Sequence, residues 1–409
     1  MDIEIPILKG RSVVVGVSGG IAAYKAADLV SRLVKAGAQV DVVMTPAAAE
    51  FVRPLTFQAL THRPVALEMF ALWQETEIGH VSLGKRADLM VIAPATANTL
   101  AKLAHGMADT LLATTALACR GPILLAPAME SGMWANPATL ANMEVLGRRG
   151  YFSVGPESGR LASGAEGVGR MSEPETIVEA ARWVLGRKGP LAGEKVVVTA
   201  GGTREAIDPV RFIGNRSSGK MGFALAAAAR DRGAEVALVH APAAQRVPHG
   251  VRAVAVESAE QMQAAVMDAA SDAAALIMAA AVADYRPKSA AAHKIKKTQD
   301  ELALELVRTP DILTAVAQRR GQSGSLRVVI GFAAETRNLL ENAGEKLARK
   351  GLDLIVANDV LAADSGFEAD TNRVTLIEAG GGVESLPLMS KQAVAEAVVD
   401  RLVGLLRRL

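Results

Sequence analysis

The sequence predicts an α/β protein of two tandem domains, each a parallel sheet covered by helices on both faces. Three observations predict it. Short continuous apolar runs such as "RSVVVGV" and "ADLMVIAPAT" alternate with stretches of helical period, as strands buried on both faces do. One stretch, "GRKGPLAGEK" at 186–195, is rich in Gly, Lys and Pro and has no apolar period, so it reads as a linker. On either side of it the chain opens in the same way, with a strand, a Gly-Gly turn and a helix. Residues 1–188 and 189–409 therefore read as two Rossmann-like domains in tandem and not as a short-period repeat.

The elements follow in order. "RSVVVGVSGG" is a buried strand ending in a Gly turn, and "IAAYKAADLVSRLVKAG" is a helix closing on Gly37. "AQVDVVMT", "ADLMVIAPAT" and "GPILLAPAM" are the next strands, separated by helical stretches. After the linker the pattern restarts with the strand "KVVVTAGGT", the helix "MGFALAAAARDRGA" ending near Gly233, and the strand "EVALVHAP". "AALIMAAAV", "RVVIGFAAET" and "DLIVAND" are later buried strands. "NRVTLIEAGG" is a last strand before the helix "KQAVAEAVVDRLVGLLRRL".

Composition narrows the function classes. The chain has 409 residues, half of them apolar and 22% charged, with a formal net charge of +2. That balance gives no reason to expect nucleic acid or an anionic membrane as a partner, and 3% aromatic residues argue against base-stacking platforms. Cys119 is the single cysteine, so no intrachain disulfide can form, which fits a reducing, cytoplasmic setting. The N-terminal stretch lacks the basic region of a signal peptide, and no run is long and apolar enough to span a membrane.

Several segments carry chemistry. The turn "GVSGGIAAYK" offers backbone N–H groups, the Ser18 hydroxyl and a helix start, which suit a phosphate. The G-x-G-x-x-G spacing is absent, so a mononucleotide fits better than a dinucleotide, and an ordinary βα turn explains this motif equally well. His80 stands in a polar stretch before a strand. "PATANT" and "PAMESGMW" decorate two further strand ends, where α/β sites lie. In the second half, "GNRSSGKMG" contains G-x-x-x-x-G-K. A P-loop follows its strand directly and has a magnesium-holding Ser or Thr after the Lys, whereas here Met221 follows and the nearest apolar run ends near Ala200.

"GVSGGIAAYK", "GHVSLGKRADLMVIAPATANT" and "PAMESGMW" resemble the flavin-containing cysteine decarboxylases. Over nearly its whole length the chain resembles the bacterial bifunctional phosphopantothenoylcysteine decarboxylase/phosphopantothenate–cysteine ligases of coenzyme A biosynthesis. The resemblance implies FMN in the first domain, lined by Ser18, Gly19, Thr45, Thr96 and Asn98, with His80 as the catalytic histidine near the substrate carboxylate. In that family the flavin oxidises the substrate thiol, carbon dioxide leaves, and the enethiol is reduced. Two positions depart from the family pattern. Glu130 stands in place of the Asn of P-x-M-N-x-x-M-W. Ser163, in "GRLASGAEGVGRMSEP", stands in place of the flap Cys that protonates during the reduction. A thiol of pKa about 8.5 gives up a proton far more readily than a hydroxyl. Buried beside a flavin, Glu130 would have its pKa raised and could give that proton itself. Three readings stay open: a complete bifunctional enzyme, a ligase whose first half is an FMN-binding assembly module, and a flavin enzyme that stops at the enethiol.

The second domain resembles the ligase signature, "AGGTREAIDPVRFIGNRSSGKMGFALA", so "GNRSSGKMG" reads as the approach to a helix and not as a P-loop. The resemblance implies that CTP and Mg2+ activate 4'-phosphopantothenate as an acyl-cytidylate, which L-cysteine then attacks. Asn215 would hold the acyl-cytidylate carbonyl, Arg211 would help the cysteine step and Lys294 in "HKIKK" would serve activation. Ala281, Asp284, Phe332, Lys346 and Lys350 would complete the CTP site with Lys294. "VANDV" and "FEADTNRV" match as well. Read without the resemblance, "HKIKK" is a solvated basic loop and "EKLARK" an exposed helix face. The resemblance names no metal ligands. It implies a homo-oligomer, with trimers of the flavin domain and paired ligase domains.

Overall fold

The computed structural model describes residues 5–69, 79–296, 302–335, 339–359 and 369–408. The first four residues, the last residues of "HKIKK", "GFAAET" and "VANDV", and the start of "FEADTNRV" lie outside them. The chain divides into two compact units, Met1–Gly186 and Arg187–Leu409.

The first unit runs β1 (Ser12–Val17), α1 (Ala23–Lys35), β2 (Gln39–Met44), α2 (Pro46–Ala49), α3 (Pro54–Thr61), β3 (Val65–Ala66), α4 (Gly79–Arg86), β4 (Leu89–Ala95), α5 (Ala97–His105), α6 (Leu111–Ala118), β5 (Ile123–Pro127), α7 (Ser131–Trp134), α8 (Pro137–Arg148), β6 (Phe152–Ser153), β7 (Glu157–Arg160), β8 (Glu166–Arg170) and α9 (Pro174–Gly186). Six strands form one parallel sheet in the order β3-β2-β1-β4-β5-β6, and β7 and β8 form a separate antiparallel hairpin. The continuous valine run of β1 is explained by burial on both faces. Val13, Val15 and Val17 pack with Leu29 and Leu33 of α1 and Ile177 of α9, while Val14 packs on the other face with Leu100 of α5 and Leu112 of α6. All nine of these core valines and apolar partners are at most 1% exposed. Each fully buried Val or Leu contributes about 1.5–3 kcal/mol of transfer free energy.

The second unit runs β9 (Lys195–Ala200), β10 (Arg204–Ala206), β11 (Phe212–Gly214), α10 (Lys220–Asp231), β12 (Glu235–His240), β13 (Arg252–Ala255), α11 (Ala259–Ala269), β14 (Ala275–Met278), β15 (Tyr285–Pro287), β16 (Leu306–Arg308), α12 (Ile312–Ser323), β17 (Val328–Glu335), α13 (Leu339–Lys350), β18 (Leu354–Asp359), β19 (Thr371–Asn372), β20 (Val374–Glu378), β21 (Val383–Ser385), β22 (Met389–Ser390) and α14 (Lys391–Arg408). Its main sheet has the order β13-β12-β9-β14-β17-β18-β20-β21. It is parallel through β18 and closes with antiparallel β20 and β21. Val196 and Val198 face α10 and α14, and Val197 faces α11 and α12.

In both sheets the strand order reverses beside the first strand, between β1 and β4 and between β9 and β14. Such switch points open a crevice at the carboxyl ends of the strands. The long strands and helices start and stop close to where the apolar periods place them. The hairpins β7–β8, β10–β11 and β15–β16 were not legible in the sequence: each strand has three to five residues, rich in Gly or charge, and shows no two-residue period.

Candidate active sites

In the first unit the ends of β1, β2, β4 and β5 surround one cavity of about 990 Å3. That is the size of a site for a nucleotide-bearing ligand. Gly19, Thr45, Thr96 and Asn98 all line it, as do Glu130 and Ser163. Thr96 is the N-cap of α5, accepting from Thr99 N at 3.4 Å, and Thr110 caps α6 in the same way through Ala113 N. The starts of α1, α5 and α6 thus converge on the cavity, an arrangement that favours an anion.

Ser18 stands behind the wall and does not line the cavity. It is 1% exposed, its hydroxyl donates to Pro94 O at 2.6 Å, and it accepts from Thr96 N at 3.1 Å. It therefore bolts the β1 turn to "PATANT" and acts on the cavity through its shape. Gly19 explains the other half of that turn, because a Cβ there would lie 2.5 Å from Ala47 Cβ. Only glycine lets the two loops approach so closely.

Cations that the sequence did not single out stand on the same wall. Lys25 and Arg170 line the cavity and both donate to the Glu173 carboxylate, Lys25 at 2.9 Å. The Lys25 ammonium is the largest cause that holds the Glu173 carboxyl below its ordinary pKa. Lys25 lies one turn into α1 within "GVSGGIAAYK". The third partner, Glu173, is 148 positions away and reaches it only through the fold.

The flap is the β7–β8 hairpin. It carries Ser163 at its exposed tip, where Leu161 N bonds Ala165 O at 2.8 Å. Its second strand is fastened to "PAMESGMW": Met129 N donates to Gly169 O at 2.9 Å, and a Cβ on Gly169 would lie 2.2 Å from Met129 O.

Glu130 corrects one expectation. It is exposed, and it caps α7 by accepting from Ser131 Oγ at 2.7 Å and from the Gly132 N–H. The Ser131 hydroxyl, followed by that N–H, holds its carboxyl below the ordinary range. It is a carboxylate at neutral pH and not a raised-pKa acid, because the short helix start solvates its charge. His80 sits in α4, outside the cavity lining of its own chain, and its Nδ1 is buried with no hydrogen-bond partner among the described residues. Cys119 closes α6 with its thiol pushed up by burial.

In the second unit Gly219 takes a left-handed φ of +77° as N-cap of α10. The strand before it is β11, of the small hairpin, and not a core strand of the parallel sheet, so the P-loop geometry is absent. Lys220 pairs with Asp370 at 2.6 Å.

Asn215 is exposed and its Nδ2 donates to Ala281 O at 3.1 Å. Ala281 N donates in turn to Gly201 O at 2.9 Å, so Asn215 and Ala281 meet at the β9/β14 switch point. Asp284 is exposed nearby, its carbonyl accepting from Thr309 N at 3.0 Å. Lys346 donates to Phe332 O at 2.9 Å. Lys350 is engaged elsewhere, with Asp311 and with Thr314 Oγ1 at the start of α12.

Lys294 is exposed, and the residue after it is held by a pair that includes a residue the sequence reading missed. Asp208 accepts from Arg211 Nε at 2.9 Å and Nη2 at 2.6 Å, and from Ile295 N at 3.2 Å, while Arg211 Nη2 donates to Ile295 O at 2.9 Å. The Arg211 guanidinium holds the Asp208 carboxyl far below the usual carboxylate range, so the pair stays charged at neutral and mildly acidic pH. Among the described residues no three His, Cys, Asp or Glu side chains come together as a metal cage.

The flavoprotein family model matches residues 7–185, and the model for the C-terminal domain of DNA/pantothenate metabolism flavoproteins matches residues 191–405. The coenzyme A biosynthesis bifunctional protein CoaBC of Vibrio cholerae is 48% identical over 394 residues, 96% of this chain and 98% of that protein. The CoaBC protein of Bacillus subtilis is 46% identical over 402 residues, 98% of each. A crystal structure of the C-terminal domain of a CoaBC protein is 41% identical and covers 54% of this chain and all of its own, with a TM-score of 0.46.

Proposed function

The chain belongs to the CoaBC family of bifunctional coenzyme A biosynthesis proteins and is a bifunctional enzyme with ligase and decarboxylase activities, and we propose a division of that work between its two units. The second unit joins L-cysteine to 4'-phosphopantothenate at the expense of CTP, and the first decarboxylates the product to 4'-phosphopantetheine. The observation that carries this reading is positional. The residues assigned to the two activities follow the central strands of two separate sheets, Gly19 and Thr96 after β1 and β4, and Asn215 and Ala281 beside β9 and β14.

In the ligase unit CTP, accompanied by Mg2+, takes the carboxylate of phosphopantothenate. An acyl-cytidylate forms and pyrophosphate leaves; the cysteine amine then attacks the acyl carbon and CMP leaves. Lys294 neutralises the triphosphate charge of the first step. Asn215, anchored on Ala281 O, turns its amide to the acyl carbonyl, and Arg211 supplies positive charge in the second step. Ala281, Asp284, Phe332 and Lys346 border the nucleotide. Lys350 reaches it by exchanging its bonds with Asp311 and Thr314.

In the flavin unit, bound FMN supplies the two-electron oxidation that makes the thiol-bearing carbon chain lose carbon dioxide. The residues fit it: Met129, Met133 and Leu161 offer apolar walls for a flat ring, and the helix starts with Lys25 and Arg170 suit its phosphate. Ser163 lines the cavity from the exposed tip of the flap. Glu130, as a carboxylate, keeps the flap seat in place through Ser131 and Gly132. His80 lies outside the lining of this cavity, and on this reading a neighbouring copy of the chain brings its own His80 to the site. Trimers of this unit with paired ligase units are the assembly we propose, working in the cytoplasm. A unit kept only for assembly would not need a cavity of about 990 Å3 at its strand ends.

The test is a reaction of the purified chain with phosphopantothenate and cysteine, followed for pyrophosphate. Release that requires CTP is expected, and release that is indifferent to CTP would overturn the ligase reading. Ser163→Cys probes the flap in the same enzyme. A thiol of pKa about 8.5 gives a proton more readily than a hydroxyl, so the variant is expected to form the saturated product faster. An unchanged rate would show that the flap side chain is not the proton source.

A further inference from the structure

We propose that Asp208 is a positioning residue of the ligase site, which sets Arg211 and the Lys294 loop in register with one another through a single carboxylate. The proposal rests on the ligase reading above. Asp208 takes part in no assigned chemistry, yet its side chain is 0% exposed while that of its partner Arg211 is 42% exposed. Its two oxygens do different things. Oδ1 closes a local turn, accepting from Val210 N at 2.8 Å and Arg211 N at 2.9 Å. Oδ2 faces outward from that turn and accepts from Arg211 Nε, Arg211 Nη2 and Ile295 N, a residue 87 positions away.

The result is a clasp on the backbone next to Lys294. Ile295 gives its N–H to Asp208 and receives Arg211 Nη2 on its carbonyl, so both its polar backbone groups are held by the pair. Ala291 N adds a bond to Ile207 O at 2.9 Å, so the loop is tied to the same turn from both sides of Lys294. Lys294 itself is exposed, and among the described residues its side chain makes no hydrogen bond or ion pair. Its place relative to Arg211 is therefore set by Asp208. A carboxylate is required because Oδ2 meets only donors, two of them from a cation.

Asp208→Asn separates a clasp from a turn. The amide oxygen can keep the two turn bonds of Oδ1, but the amide nitrogen would then face Arg211 and the Ile295 N–H, donor against donor. If the turn were all that mattered, the variant would behave as wild type. If the clasp matters, both half-reactions suffer, because Lys294 and Arg211 act in different ones.

The experiment compares wild type, Asp208→Asn and Lys294→Gln in the full-length chain. Pyrophosphate release from CTP and phosphopantothenate without cysteine reports the first half-reaction. Consumption of accumulated acyl-cytidylate after cysteine is added reports the second. We expect Asp208→Asn to slow both at least tenfold with the KM for CTP within about threefold of wild type, whereas Lys294→Gln slows the first alone. Half-reactions within twofold of wild type would overturn the proposal. So would a loss of CTP binding together with loss of the second unit's cooperative unfolding, since Asp208 would then serve stability only. If wild type itself releases no pyrophosphate with CTP, the ligase reading has failed, a result told apart from these by the wild-type reaction alone.

Discussion

Replacing Lys294 with Gln is expected to lower CTP-dependent pyrophosphate release by about 10²–10³-fold, the usual loss when one preorganised group facing developing charge is removed. The amide keeps most of the side chain's length and removes its charge. Lys294 is exposed and stands on a loop held beside Arg211, so its loss changes little in the fold. Asn215→Asp is expected to fail at the same intermediate from the other side. Its Nδ2 donates to Ala281 O, and an aspartate would put a negative oxygen against that carbonyl and against the acyl carbonyl it should hold. Quenched-flow measurement of the acyl-cytidylate separates the two variants: little intermediate in the first, and an intermediate that is unstable or trapped in the second. Wild-type turnover in Lys294→Gln would remove that residue from the activation step.

Gly19→Ala is expected to yield a protein that purifies without flavin absorbance and does not regain it on incubation with FMN. The added Cβ would lie 2.5 Å from Ala47 Cβ and 2.8 Å from Ala47 C, and Ala47 sits at the start of α2 beside Thr45, so the two loops that line the cavity must separate. Overpacking of this kind costs about 1–3 kcal/mol, which lowers the melting temperature of a unit of this size by about 2–4 °C for each kcal/mol. Gly20→Ala is the matched comparison. Its Cβ would meet only Thr96 Cγ2, at 3.4 Å, and it is expected to stay yellow. A Gly19→Ala protein with wild-type flavin content would mean that the β1 turn does not shape the site.

The parts of this molecule that were legible in its sequence are those whose signal is local. The valines of β1 and β9 announce strands buried on both faces, and Gly37 and Gly233 close their helices with left-handed φ of +92° and +94°. The cavity residues were legible where they follow a strand directly, as Gly19 and Thr96 do. What stayed hidden depends on partners far along the chain. Ser18 looked like a phosphate ligand, but its hydroxyl is spent on Pro94 O, 76 positions away. Glu130 looked like a buried acid until α7 was seen to start on it. Lys25 and Arg170 gain their roles from Glu173, and Asp208 from Ile295, contacts that no spacing rule reaches. The hairpins that carry the flap and the β10–β11 turn have no apolar face of their own, so no period marked them.

The measurement that tests the division of labour most directly is identification of the end product by mass spectrometry after the purified, FMN-loaded chain has consumed phosphopantothenate, L-cysteine and CTP. One molecule of pyrophosphate, one of CMP and one of carbon dioxide should appear for each 4'-phosphopantetheine formed, and omission of CTP should abolish all of them. Accumulation of phosphopantothenoylcysteine with no carbon dioxide, in a chain that holds its flavin, would contradict the assignment of the first unit as a working decarboxylase.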